Sequence, residues 1–165
     1  MKNRIILIGL SLILYAIALS LPCLLFDIVP TDVDTLEAPP GNINAYGNVD
    51  KSYEMTGIEL TIAGLFGLLF GVIPPSIGWL ANPIYWMSCF FFARQKYKYS
   101  TIFALTAIVL GFTGTVSAFW FRLPNGSSPF TELALNKLLP GFWLWLAAPL
   151  FIAIVNFFKL SKLTE

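Results

Sequence analysis

Long uncharged runs alternate with polar segments along this chain, and that alternation predicts its elements. Ile5–Phe26, Leu60–Ala93, Ser100–Phe121 and Gly141–Phe158 carry no Asp, Glu, Lys or Arg. A helix crossing the hydrocarbon core of a bilayer needs roughly 20 apolar residues, with about 17 as a minimum. The second run is interrupted by Pro74-Pro75, so it holds one crossing or two. Its first part, Leu60–Ile73, is short for a crossing at about 1.5 Å per residue. It also contains Gly64, Gly67 and Gly71. The pattern therefore predicts crossings over about 5–26, 77–93, 101–121 and 141–158. A half-helix over 58–73 would lie in the interface or re-enter on the outer side, with a tilted full helix as the rival reading.

Positive charge decides the number of crossings, because short cytoplasmic loops are enriched in Lys and Arg. One crossing after Pro75 puts Lys2, Arg4, Arg94, Lys96, Lys98, Lys159 and Lys162 on one side, and Lys51, Arg122 and Lys137 on the other. Two crossings would expose the Arg94–Lys98 cluster outside. One crossing is favoured, with the N and C termini both cytoplasmic. The predicted outer loop 27–59 holds Asp27, Asp32, Asp34, Glu37, Asp50, Glu54 and Glu59 against one lysine, consistent with an exterior segment.

The loops carry turn chemistry. Pro39-Pro40-Gly41-Asn42 reads as a linker, and Pro124-Asn125-Gly126 as a turn. Within the second outer loop, 122–140, Ser128-Pro129 resembles an N-cap followed by a first-turn proline. Phe130, Leu133, Ala134, Leu135 and Leu138 then predict a short amphipathic helix ending at Pro140-Gly141. Lys2, Arg4 and Ala16-Ile17-Ala18 suggest a cleaved leader. The apolar run continues to Phe26, beyond the roughly 7–15 residues of a leader's apolar region, so a retained anchor is expected.

Composition strengthens this picture. Hydrophobic residues make up 57% and charged residues 12% of the 165, against about 25% charged in soluble domains. A soluble chain of this size has too much surface to hide so much apolar side chain. The expected fold class is all-α: a polytopic integral membrane four-helix bundle with an outer-side interfacial or re-entrant half-helix, one membrane domain over 1–165. Net charge is +1, which supplies no basic field for nucleic acid. Cys23 and Cys89 fall in opposite leaflets, about 30 Å apart, and are not expected to pair.

Two features concern packing. Ala104, Ala107, Gly111, Gly114 and Ala118, with Thr115 alongside, form a small-residue stripe that would let a neighbouring helix come close. Trp79, Trp120, Trp143 and Trp145 outside, with Tyr97 and Tyr99 inside, are placed as interfacial belts. Trp79-Leu80-Ala81-Asn82-Pro83-Ile84 also aligns with Trp145-Leu146-Ala147-Ala148-Pro149-Leu150, which two parallel hairpin repeats or shared interface-entry chemistry would explain. The run Gly78-Trp79-Leu80-Ala81-Asn82-Pro83, followed by a basic turn and then Gly141-Phe142-Trp143-Leu144-Trp145-Leu146-Ala147, resembles uncharacterised four-span bacterial inner-membrane proteins. The resemblance covers about Gly78–Phe158. It implies a location in the bacterial inner (plasma) membrane and carries no activity with it. The tryptophan and paired-cysteine loop signature of claudins is absent.

Candidate chemistry is sparse. No histidine is present, which removes the commonest general base and zinc ligand. Asn82 should face other helices and find hydrogen-bond partners, as a polar amide in lipid must; Asn156 should do the same. Pro83 would free nearby carbonyls, and Trp79 marks the entry of the same segment. Glu59 either caps the half-helix or offers a cation or proton site at a re-entrant mouth. These four residues, Glu59, Trp79, Asn82 and Pro83, are the candidate polar or partner site. Asp32, Asp34 and Glu37 lack the glycine turn and ligand set of a calcium loop, and Asn125-Gly126-Ser127 is explained by its turn. No catalytic residue, cofactor or metal is expected. The expected function is a non-enzymatic inner-membrane accessory, assembly or partner-binding component, including immunity to a membrane-acting toxin. An oligomeric channel or transporter for a small solute is the alternative. Expected partners are the lipid bilayer and either another protein or further copies of the chain, with no nucleic acid.

Overall fold

The computed structural model describes residues 2–30, 52–72, 75–126 and 131–161. In chain order these form α1 (Lys2–Ser20), β1 (Pro22–Pro30), β2 (Ser52–Thr56), α2 (Gly57–Leu69) and a 3-10 helix (Pro75–Leu80). Then follow α3 (Ala81–Ala93), α4 (Tyr97–Ser117), β3 (Leu123–Pro124), β4 (Thr131–Leu138) and α5 (Pro140–Ser161).

This corrects the expected all-α four-helix membrane bundle. Alongside the five α-helices stands a four-stranded antiparallel sheet, in the order β2-β1-β4-β3. Among the described residues, two helices, Tyr97–Ser117 and Pro140–Ser161, are long and apolar enough to cross a membrane. The apolar helices α1 and α2 are shorter, and α3 has 13 residues behind its 3-10 turn.

The first departure is at Pro22. The apolar run to Phe26 predicts one helix, but proline removes the N–H and disfavours the α conformation of the residue before it. The helix stops at Ser20, and Pro22-Cys23-Leu24-Leu25-Phe26-Asp27-Ile28-Val29-Pro30 continues as the strand that β2 and β4 flank. Pro22 sits at the strand's first residue, where a missing donor is tolerated. The second departure is the expected amphipathic helix after Pro129, which is β4 instead. Leu133 and Leu135 are buried while Glu132, Ala134 and Asn136 are less so, the two-residue period of a half-buried strand, and the register irregularity opposite Leu25 and Phe26 ends the alternation before Lys137. Register with β1 runs from Leu24 opposite Leu138 to Pro30 opposite Thr131, with an irregularity between Leu25 and Phe26. The Ser128-Pro129 start signal, Pro74 and the Asp32-Asp34-Glu37 cluster lie outside the described residues.

The sheet is a direct continuation of three helices. α1 enters β1 through Leu21 alone, β2 passes into α2 without a break, and β4 enters α5 through Leu139. Two backbone bonds tie these junctions together: Gly57 N–H to Leu21 O at 3.1 Å and Leu139 N–H to Cys23 O at 2.8 Å. The inner sheet face buries Leu24, Phe26, Met55, Leu133 and Leu135 against Ala118 and Phe142. Its other side is polar, with Asn136 Nδ2 donating to Asp27 Oδ2 at 2.7 Å.

The helices form a second core of Tyr15, Ala81, Tyr85, Phe92, Ala104, Ala107, Ala148, Ile152 and Ala153. Trp145 packs against both cores and joins them. The small-residue stripe of α4 is buried throughout. Its Gly114 meets the backbone of Gly78 on the 3-10 helix so closely that a Cβ there would overlap Gly78 N and Cα. α2 forms near its expected place but ends earlier. Gly71 takes φ 76°, a left-handed conformation that glycine adopts without steric cost, and Val72 N–H returns to Gly67 O at 2.8 Å.

Candidate functional site

Of the four residues singled out from the sequence, the fold brings two to one wall and leaves two apart. Asn82, second residue of α3, is buried. Its Oδ1 accepts from Tyr15 Oη at 3.0 Å and from Trp145 Nε1 at 2.9 Å. An indole N–H only donates, so the amide orientation is fixed and a single carboxamide ties α1, α3 and α5 together. Trp79, on the 3-10 helix, lies under α2: a Cβ on Gly64 would come within 3.0 Å of Trp79 Cβ. The Trp79 Nε1 is buried and has no partner among the described residues.

Pro83 occupies the third position of α3, in the first turn, where its missing N–H breaks no intrahelical bond. It does not line the cavity described below. Glu59 is also elsewhere and exposed. It completes a capping box with Thr56: Thr56 N–H donates to Glu59 Oε2 at 2.8 Å and Glu59 N–H to Thr56 Oγ1 at 3.4 Å. Tyr53 Oη adds a bond to Glu59 Oε1 at 3.2 Å. The Thr56 bonds hold the Glu59 carboxyl below its ordinary range, and Tyr53 is pushed up, by burial first and then by Glu59.

Replacing Thr56 with Ala should therefore cost about 1 kcal/mol, the usual cost of losing such a cap. The measurement is hydrogen exchange of α2 amides, which should speed up without change in α4 or α5. The pH dependence has a definite sign. Because Glu59 is lowered in the fold, its contribution is fully present above the ordinary carboxylate value and is lost as pH falls through the lowered one. α2 should loosen on that acid side, and Glu59→Gln should abolish the pH dependence.

Trp79 and Asn82 share the wall of a cavity of about 430 Å³. α2 covers one side. The 3-10 helix, the sheet's inner face and the sheet-proximal ends of α1, α4 and α5 form the rest. Leu60, Phe66, Phe70, Leu133 and Phe142 give it an apolar lining, and among the described residues no Asp, Glu, Lys or Arg reaches it. Three polar side chains on the wall are more than nine-tenths buried: Ser76 (7% exposed), Asn82 (3%) and Thr115 (8%). No hydrogen bond engages Ser76 Oγ, Thr115 Oγ1 or Asn82 Nδ2 among the described residues. The other wall polar groups are committed: Thr61 Oγ1 donates to Gly57 O at 2.7 Å, and Trp145 Nε1 to Asn82. Burial pushes the Cys23 thiol up to about 11, so it stays protonated at neutral pH and is a poor nucleophile.

Comparison with known proteins supplies no relative. No family model matches the chain, and no curated protein or solved structure matches it significantly.

The sequence reading missed Ser76 and the cavity role of Thr115. Thr115 stands beside the small-residue stripe, where spacing predicts packing, while Ser76 follows a proline with no periodic signal. The aligned Trp79 and Trp145 segments also differ in the fold. The first passes from the 3-10 helix into α3 at Ala81, whereas the second lies wholly within α5, and they meet through the Trp145–Asn82 bond. Trp79 and Trp145 thus leave the expected belt for the interior, while Trp120 and Trp143 remain exposed. Among the described residues no three His, Cys, Asp or Glu side chains gather as a metal site requires.

Proposed function

We propose that this is a non-enzymatic component of the bacterial inner membrane that works by binding, with α4 and α5 crossing the bilayer. One observation carries the reading: polarity in the helical half is inside out. Ser11, Ser88, Ser100 and Asn156 are fully buried. They bond one another or the interior: Ser11 Oγ to Ala148 O at 2.8 Å, Ser88 Oγ to Ser100 O at 3.0 Å, and Asn156 Nδ2 to Ser100 Oγ at 2.8 Å. Outward stand Ile5, Ile13, Trp86, Val109, Ile154 and Phe157, each roughly half exposed or more. In water so large an apolar surface invites aggregation. In lipid it is the favourable side, and polar groups belong within.

Charge gives the orientation. Arg4, Arg94, Lys96, Lys98 and Lys159 gather at one end, where Arg4 Nη1 donates to Ala93 O at 3.1 Å. Asp27, Glu54, Glu59 and Glu132 lie at the sheet end. The basic end is assigned to the cytoplasm and the sheet to the outside, where its polar face is available to a partner protein. Immunity to a membrane-acting toxin is one form such binding could take. The channel alternative draws less support, because Tyr85, Phe92 and Ile152 fill the helical core and its serines bond within it.

The test is carbonate washing of membranes, followed by thiol labelling of Lys98→Cys and Lys137→Cys in a Cys23→Ala/Cys89→Ala background. Both positions are exposed. The protein should stay with the membranes, and an impermeant maleimide should reach Lys137→Cys in intact cells but Lys98→Cys only after permeabilisation. Release by carbonate, or the reverse labelling, would overturn the reading. Native mass spectrometry of a mild-detergent pull-down then separates a stoichiometric protein partner from a homo-oligomer, which would favour the channel.

A further inference from the structure

We infer that the cavity under α2 binds one neutral, single-chain amphiphile: a hydrocarbon chain ending in an uncharged oxygen function such as a carbonyl or hydroxyl. About 430 Å³ falls within the range of roughly 300–1,000 Å³ usual for small-molecule sites, which pair an apolar lining with a few placed polar groups. The lining supplies the chain's environment through Leu60, Phe66, Phe70, Leu133 and Phe142. Among the described residues no cation stands on the wall, which argues against a phosphate or carboxylate, because a buried charge without a partner is costly.

The head is placed by the polar trio. Ser76, Asn82 and Thr115 are each more than nine-tenths buried as residues, and none of the described residues accepts from their hydroxyl or amide groups. These groups keep contact with the cavity, and beside them on the same wall Trp79 Nε1 is fully enclosed without a partner among the described residues, so the wall presents unused donors to an acceptor inside it. Asn82 has spent its oxygen on Tyr15 and Trp145, so what it offers is N–H. Ser76 and Thr115 can each donate O–H. An ester or ketone carbonyl, or an alcohol oxygen, satisfies this set without charge.

Access is through α2. This helix rests on the rest of the chain by its glycines, Gly57 against Ala18 and Leu19, Gly64 against Trp79, and Gly67 against Ser76. Its outward residues Ile58, Ile62, Leu65 and Leu69 are exposed. An apolar chain entering from a bilayer would pass beside α2 without crossing water.

This inference rests on the membrane reading only for where the ligand comes from, and the experiment separates the two. The probe is a long-chain primary alcohol carrying a mid-chain diazirine, added to the purified full chain in detergent micelles. Photolysis and peptide mapping should place saturable label on α2 and on Leu133 or Phe142. An alkane of matched length should not displace it, whereas the unlabelled alcohol should. Ser76→Ala/Thr115→Val, which removes two hydroxyls with little change of volume, should weaken labelling roughly ten-fold or more, as loss of two hydrogen bonds implies. Equal labelling in that variant, or label spread over the outward residues Leu105, Val109 and Ile154, would overturn the inference even if the protein fractionates with membranes. Lipid extraction from protein purified out of membranes distinguishes a resident bilayer lipid from a ligand supplied from solution.

Discussion

Asn82→Leu should destabilise the fold by about 2–4 kcal/mol. Leucine keeps the γ-branched outline of asparagine but its methyls are bulkier, so some overpacking adds to the loss of hydrogen bonds. The substitution removes the acceptor that, among the described residues, Tyr15 Oη and Trp145 Nε1 share. A buried donor without a partner costs about 1–3 kcal/mol; Trp145 is only half-buried, which moderates its share. The loss should appear as a lower midpoint in detergent-denaturation titrations followed by tryptophan fluorescence. Tyr15→Phe should recover part of it when added to Asn82→Leu, because it deletes one of the stranded donors. A channel whose conduction depends on Asn82 predicts something else: intact assembly with altered flux.

Gly114→Leu should cost about 3 kcal/mol or more and dislodge the 3-10 helix from α4. A Cβ at position 114 would lie 2.6 Å from Gly78 Cα and 3.2 Å from Ile77 C. These are backbone atoms, so no side-chain rotation relieves the overlap, and the strain exceeds the usual roughly 1–3 kcal/mol of an overpacked core. Gly78→Ala meets Thr115 N at 3.2 Å and should be milder. Gly9→Ala, on α1 with nothing within 4 Å, should be neutral or slightly stabilising. The three variants, ranked by the same titration, test whether backbone contact between α4 and the 3-10 helix holds this end of the molecule. Equal midpoints for Gly114→Leu and Gly9→Ala would rule that out.

The same contacts explain what could and could not be read from the chain. Helices α4 and α5 were legible because each is a long uncharged run bounded by charge or proline, and no strand of such length would be plausible. The small-residue stripe at Ala104, Ala107, Gly111 and Gly114 was legible from spacing, since a helix puts those positions on one face. The need of Asn82 for partners was also legible, because a lone carboxamide in an apolar segment has nowhere else to go. Which partners it finds was not: Tyr15 lies 67 residues away and Trp145 lies 63.

The sheet is the part that the sequence concealed. Leu21–Pro30 is apolar whether it continues a helix or starts a strand, and hydropathy alone does not distinguish the two. Thr131–Leu138 offered both a loose helical reading and a two-residue alternation. Strand β1 decided between them by providing a paired edge for every second group. The cavity was hidden for a related reason: Ser76, Asn82 and Thr115 belong to three separate elements, and only Asn82 stands out from its own surroundings. Residue order determined the apolar runs, the basic end and the local capping at Thr56 and Glu59, because those depend on neighbours within a few positions. Strand pairing, the Trp145–Asn82–Tyr15 junction and the unsatisfied wall under α2 were decided only by the tertiary structure, because each depends on groups that the chain brings together from far apart.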